Sequence, residues 1–240
     1  MATLEIAGLQ KRFGGVVALN GVDLSVDPSK IIGIIGPNGS GKTTLFNVIV
    51  GAHKPSAGRV SWRGNDITGK SPAEIARQGL VRTFQQAMSF AGLSVRENVS
   101  IACEHGRVRR GAGPTWNSPE EILDFVGLSG LGDQIAGSMP FGNLRRLGIA
   151  IALGTSPLLL LLDEPAAGLN QTEVAQLMEL IVQLPKAGIG VCLIDHDMFL
   201  MSGLCKRLTV LNFGTKIAEG PPQAVLNDPK VKEVYLGNEI

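Results

Sequence analysis

Residues 31–44 read Ile31-Ile32-Gly33-Ile34-Ile35-Gly36-Pro37-Asn38-Gly39-Ser40-Gly41-Lys42-Thr43-Thr44. An apolar run of strand character passes into G-x-x-x-x-G-K-[ST] without a mismatch, and an amphipathic helical pattern follows from Thr44 to Val50. Strand, glycine-rich turn and helix in that order make a phosphate-binding loop on an α/β core. Gly36, Gly39 and Gly41 let the backbone take positive φ and turn its N–H groups into one anion nest at a helix N-terminus; Pro37, Asn38 and Ser40 complete the loop. Lys42 supplies a point charge between the β- and γ-phosphates of a nucleotide, and the Thr43 hydroxyl can ligate Mg²⁺.

Upstream, short alternating runs at Leu4 and Ile6, at Val16 to Leu19, and at Val22, Leu24 and Val26 are separated by Gly14, Gly15, Asp27 and Pro28. They predict β-strands of an antiparallel layer leading into the phosphate-loop strand. Phe13, beside two glycines in a chain with 5% aromatic residues, suits either stacking on adenine or a small-core role.

Downstream, Gly58 to Trp62 and Leu80 to Phe84 predict strands, the second ending on Gln85 and Gln86. Gln85 can accept from a metal-bound water and hold a nucleophilic one, or merely cap the surface. Ser71 with Glu74, Ser94 with Glu97, and Ser118 with Glu121 predict capping boxes, the last opening a helix through Val126. Residues 104–117 lack periodicity and predict a surface loop, and 87–140 reads as a mostly helical insertion. Leu158 to Leu162 is apolar on both faces, as a central parallel strand requires, and Asp163 and Glu164 follow at its carboxyl end, where open α/β sheets bind ligands. There Asp163 would hold the Mg²⁺ shell and Glu164 could polarise a water, rather than capping a helix ahead of Pro165. A helix from Gln171 to Leu184 leads to a strand, Val191 to Ile194, and then to Asp195, His196 and Asp197; His196 is either a surface residue or a γ-phosphate contact. Strands near Leu208 to Leu211 and Lys216 to Ala218 and two short helices, Pro221 to Leu236, end the chain.

The chain has 240 residues, 44% hydrophobic and 18% charged, with net charge +1. That length can bury a substantial core, and the charge balance excludes an electrostatic nucleic-acid surface. Cys103, Cys192 and Cys205 fit no metal spacing and suit a reducing compartment. Residues 1–8 read as a strand rather than a signal peptide, and no apolar run is long enough to span a bilayer.

With these motifs in this order, the chain resembles the ATP-binding subunits of ATP-binding cassette transporters over essentially its full length. The resemblance implies an α/β P-loop NTPase core with a mixed central sheet, an N-terminal antiparallel β subdomain, and a helical subdomain between the Q-loop and the signature motif. It implies one domain, 1–240, with 1–86 and 141–240 as core and 87–140 as helical subdomain. Phe13 stands at the adenine-stacking aromatic, Gly36 to Thr43 at Walker A with Thr44 beside it, Gln85 at the Q-loop glutamine, Leu158 to Glu164 at Walker B, and His196 at the switch histidine. Catalysis would then fall to Glu164, His196 and Gln85, the metal to Thr43, Gln85 and Asp163, and the cofactors would be ATP and Mg²⁺. The strings VRTFQ (81–85), DEPAAGLN (163–170), DHDM (195–198) and DPKVKEVYLG (228–237) are similar to those of branched-chain amino acid importers and of the related urea importers.

The resemblance further implies partners: a second cassette, identical or different, integral membrane permease subunits, and indirectly an extracytoplasmic solute-binding protein. It implies a peripheral place on the cytoplasmic face of the membrane. The signature falls at Met139-Pro140-Phe141-Gly142-Asn143, where only Gly142 keeps the general LSGGQ pattern. Pro140 can donate no hydrogen bond to a γ-phosphate, which leaves Gly142, Asn143 and the helix N-terminus as the anion site. Leu144, Gly148 and Ile151 stand where relatives tend to carry polar or charged residues, and Asn170 where aspartate is common. These departures hint at an asymmetric dimer or a weakly hydrolysing, regulatory cassette; a lipid-transport cassette is a further alternative. A soluble repair or translation ATPase is disfavoured, because 121 positions without heptads separate Lys42 from Asp163 and the chain has one cassette.

Overall fold

The computed structural model describes residues 4–83, 89–106, 114 and 116–236. In chain order its elements begin β1 (Leu4–Phe13), β2 (Val16–Val26), β3 (Ile31–Ile35), α1 (Lys42–Ile49), β4 (Ala57–Trp62), β5 (Asn65–Asp66), α2 (Pro72–Arg77), β6 (Leu80–Arg82), α3 (Val95–Gly106) and α4 (Pro119–Phe125). They continue with α5 (Phe141–Gly154), β7 (Leu159–Asp163), α6 (Gln171–Lys186), β8 (Gly190–Ile194), α7 (Met198–Leu204), β9 (Arg207–Asn212), β10 (Thr215–Gly220), α8 (Pro222–Asn227) and α9 (Pro229–Leu236).

β3, β7 and β8 are buried at every residue, so both of their faces must meet apolar layers. Their side chains divide accordingly. Ile32, Ile34, Leu159, Leu161, Cys192 and Ile194 pack with α1 and the antiparallel strands. Ile31, Ile35, Leu160, Leu162, Val191 and Leu193 pack toward the later helices. The sheet order is β10-β9-β3-β8-β7-β6; β10 is antiparallel to β9 and the other pairs are parallel, which makes it the expected mixed sheet. A second sheet, β2-β1-β4-β5, is antiparallel throughout.

α3, α4 and α5 lie in the chain between β6 and β7. Val99, Ile122, Leu147 and Leu153 share one buried cluster, so α5 packs with the inserted helices although the expected boundary at 140/141 divides them. Among the described residues no helix is long and apolar enough to cross a membrane.

Several expectations change in detail. The runs at Val16 to Leu19 and at Val22, Leu24 and Val26 belong to one eleven-residue strand, β2, whose register against β1 passes Gly21 at an irregularity. β6 runs Leu80–Arg82, and Phe84, Gln85 and Gln86, on which the expected strand and its end fall, lie outside the described residues. Glu104 to Gly106 belong to α3 rather than to a loop. Ser118 caps α4 by accepting from the Glu121 N–H, but the Glu121 carboxylate accepts from Asn117 instead of closing the box. The boxes at Ser71 and Ser94 close as expected.

Trp62 is 1% exposed, and its Nε1–H donates to the Gln78 carbonyl at 2.8 Å, locking β4 to the end of α2. Trp62→Phe should lower unfolding free energy by about 2 kcal/mol through lost packing and an orphaned carbonyl. The check is a lower denaturation midpoint at unchanged m.

Candidate functional site

The carboxyl ends of the parallel strands collect the predicted chemistry at one edge. β3 feeds residues 36–41, β7 ends on Asp163 and is followed by Glu164, and β8 is followed by Asp195, His196 and Asp197. Gly36, Gly39 and Gly41 have φ of 150°, 77° and 102°. A Cβ on Gly36 would collide with the Leu211 carbonyl, and one on Gly41 with the Ala18 carbonyl, so the loop is wedged between β9 and β2. α1 has no side-chain cap and no acidic residue in its first turn, which leaves its N–H groups to an anion.

Lys42 is buried. Its Nζ donates to the Gly36 and Pro37 carbonyls at 2.7 and 2.9 Å and lies 3.5 Å from Ser40 Oγ. Burial lowers its pKa, and the charges of Glu164 and Asp163 oppose that shift. Thr43 is exposed one residue on, with Thr44 half-buried behind it; Asn38 is exposed and Pro37 half-buried.

Glu164 takes φ 46°, a left-handed backbone that costs a non-glycine residue about 1 kcal/mol. The turn is held by its N–H donating to the Ile194 carbonyl at 2.7 Å, and by Asp195, which accepts from the N–H groups of Ala166, His196 and Asp197. Burial raises the Asp195 pKa against those three donors. The strain aims the Glu164 carboxylate at His196, whose Nε2 lies 2.9 Å from Glu164 Oε1. Thus two predicted catalytic groups, 32 positions apart in the chain, meet directly.

Asp163 is 1% exposed. Oδ2 pairs with Arg82, while Oδ1 is buried with no hydrogen-bond partner among the described residues. Thr43 and Asp163 offer hydroxyl and carboxylate oxygens, the donors a hard cation takes, so the orphaned Oδ1 fits a magnesium shell. Arg82 has no role in the sequence reading; its signal there is a charge that closes the strand begun by Leu80 and Val81.

Phe13 is 42% exposed. His53 meets it edge-on with centroids 5.2 Å apart, and Lys11 Nζ sits 4.7 Å from its centroid. It is a rim aromatic and not a core one.

Pro140 is the N-cap of α5 and gives no side-chain bond. Gly142 is buried against the Glu173 carboxylate, so a negative group already stands at this helix start. Phe141 packs on Gly168, Arg145 stacks over the Phe141 ring at 4.8 Å, and Arg145 Nη2 donates to the Ala167 carbonyl at 3.1 Å. Asn170 caps α6 in a box with Glu173, which gives this amide a local structural task. Gly148 and Ile151 help to line a cavity of about 170 Å³, together with Arg82, Arg145 and Asp163.

Comparison with known families matches residues 19–167 to the model described as ABC transporter, and residues 215–240 to branched-chain amino acid ATP-binding cassette transporter. The high-affinity branched-chain amino acid transport ATP-binding protein LivG of Escherichia coli K12 is 39% identical over 98% of this chain and 97% of its own. The probable LivG of Archaeoglobus fulgidus is 38% identical over 99% of this chain and 96% of its own. Among solved structures, the ADP conformation of MJ1267, an ATP-binding cassette of an ABC transporter, superposes with a TM-score of 0.88 at 36% identity, covering 99% of this chain and all of that one.

Proposed function

The chain belongs to the ABC transporter family, as an ATP-hydrolysing cassette, and from that premise we propose that it powers an importer of branched-chain amino acids. The observation that carries the catalytic part is the Glu164–His196 pair at the strand edge beside the Lys42 cradle. The names of the relatives and the match over residues 215–240 favour the solute class.

ATP lies with adenine on Phe13 and phosphates in the nest of residues 36–44. Lys42 exchanges its carbonyl partners for phosphate oxygens. Thr43, Asp163 and Gln85 would hold a magnesium ion, whose chemistry is to offset charge on the phosphates. Glu164 takes a proton from the water that attacks the γ-phosphate, with His196 and Gln85 positioning that water. Two cassettes close head to tail, so that Gly142 and Asn143 of one face the nucleotide on the other, and Pro140 contributes no bond there. Membrane permease subunits follow the opening and closing, and the chain sits on the cytoplasmic face of the membrane, fed by an extracytoplasmic solute-binding protein.

Steady-state hydrolysis by the purified chain, measured against its own concentration with Glu164→Gln as blank, tests the dimer. The rate should rise with roughly the square of concentration below saturation, because the working species is a pair. Hydrolysis strictly proportional to concentration would sink the shared site. Uptake of labelled leucine should disappear from cells carrying Lys42→Ala. Persistent leucine uptake with loss of urea uptake would reassign the solute.

A further inference from the structure

We propose that Arg82 is a positioning residue whose guanidinium fork fixes the gap between Asp163 and the face of α1 that carries Thr43. The inference rests on the reading of Thr43 and Asp163 as the magnesium-holding residues. Arg82 ends β6 with a side chain only 7% exposed, and its Nη2 pairs with Asp163 Oδ2. Its Nη1 donates to Asn47 Oδ1 at 2.6 Å. The guanidinium carbon lies 5.9 Å from the centroid of Phe46, itself fully buried.

Thr43 and Asn47 are four residues apart on α1 and therefore share a helix face. The fork thus joins the strand that carries one metal-holding oxygen to the helix turn beneath the other. It also settles which oxygen of Asp163 is offered: Oδ2 is occupied, and Oδ1 has no partner among the described residues. Magnesium demands near-ideal octahedral geometry, so a loose gap between its protein oxygens weakens it more than a rigid one.

A buried ion pair is by itself weak grounds for a role, since its desolvation offsets much of its attraction. The planar fork is the distinguishing feature, because a lysine keeps the charge but cannot span both partners. Arg82→Lys and Asn47→Ala therefore cut the same link from opposite ends.

The test is binding of a fluorescent ATP analogue, with Mg²⁺ titrated at fixed nucleotide, alongside binding in EDTA and thermal unfolding. Arg82→Lys should raise the Mg²⁺ half-saturation by about tenfold, as loss of a group supporting a metal ligand does. Binding in EDTA should be unchanged. Asn47→Ala should shift in the same direction by less, and it decides the matter if Arg82→Lys fails to fold. An unchanged half-saturation in a folded Arg82→Lys, or in Asn47→Ala when that is the only folded variant, would overturn the proposal and leave Arg82 a stabilising residue. Asp163→Asn is the control: if it too leaves the Mg²⁺ dependence unaltered, the metal assignment has failed along with the role of Arg82.

Discussion

Glu164→Gln is expected to abolish steady-state ATP turnover while nucleotide binding persists. Glutamine has the same shape, so it can keep the strained turn and a hydrogen bond to His196 in one of its tautomers. What it lacks is a basic oxygen. A positioned general base contributes about 10²–10⁴-fold, so hydrolysis should fall by at least the lower figure. The check pairs phosphate release with equilibrium ATP binding on the same preparation. Turnover equal to the parent's would remove Glu164 from the mechanism, and binding lost together with turnover would mean that the turn had collapsed.

Lys42→Ala is the second large effect, and it acts on binding itself. Without nucleotide, the Lys42 ammonium is solvated by the Gly36 and Pro37 carbonyls, and burial already disfavours its charge. Phosphate oxygens are better partners for a desolvated cation than neutral carbonyls. Hydrogen bonds to charged groups contribute about 1.5–3 kcal/mol each, so losing the cation should weaken ATP by roughly a hundredfold. Two carbonyls and Ser40 also lose a donor, so thermal unfolding must be measured beside affinity. A folded variant with parental affinity would contradict the role given to the loop's charge.

The phosphate loop was legible because its information is local: a buried strand, glycines where φ is positive and a helix start occur within fourteen residues. The strand-end acids and His196 were legible for a related reason, since a wholly apolar strand that ends on charges exposes its own carboxyl edge. Other features depended on pairings that no local pattern carries. Arg82 meets Asp163 across 81 positions and Asn47 across 35, and Phe141 meets Gly168 across the whole of α5 and β7. The continuity of β2 past Gly21 is decided by its partner β1. In the sequence Asp195 is one of two acids flanking a histidine; three backbone amides turning onto it make it the pin of the turn that carries Glu164 and His196.

The contacts of Phe141 with Gly168 and of Arg145 with the Ala167 carbonyl have a mechanical meaning. The Ala167–Gly168 turn is tied to Glu164, because the Ala167 N–H donates to the Glu164 carbonyl at 3.2 Å. In the proposed head-to-tail pair, the start of α5 is the part that would face the nucleotide of the other cassette. An aromatic ring seated on a glycine and a guanidinium clasping the next carbonyl leave little backlash between them. In the head-to-tail pair proposed above, each cassette would then work as a rocker arm, with a shift at Glu164 carried through these contacts to the start of α5.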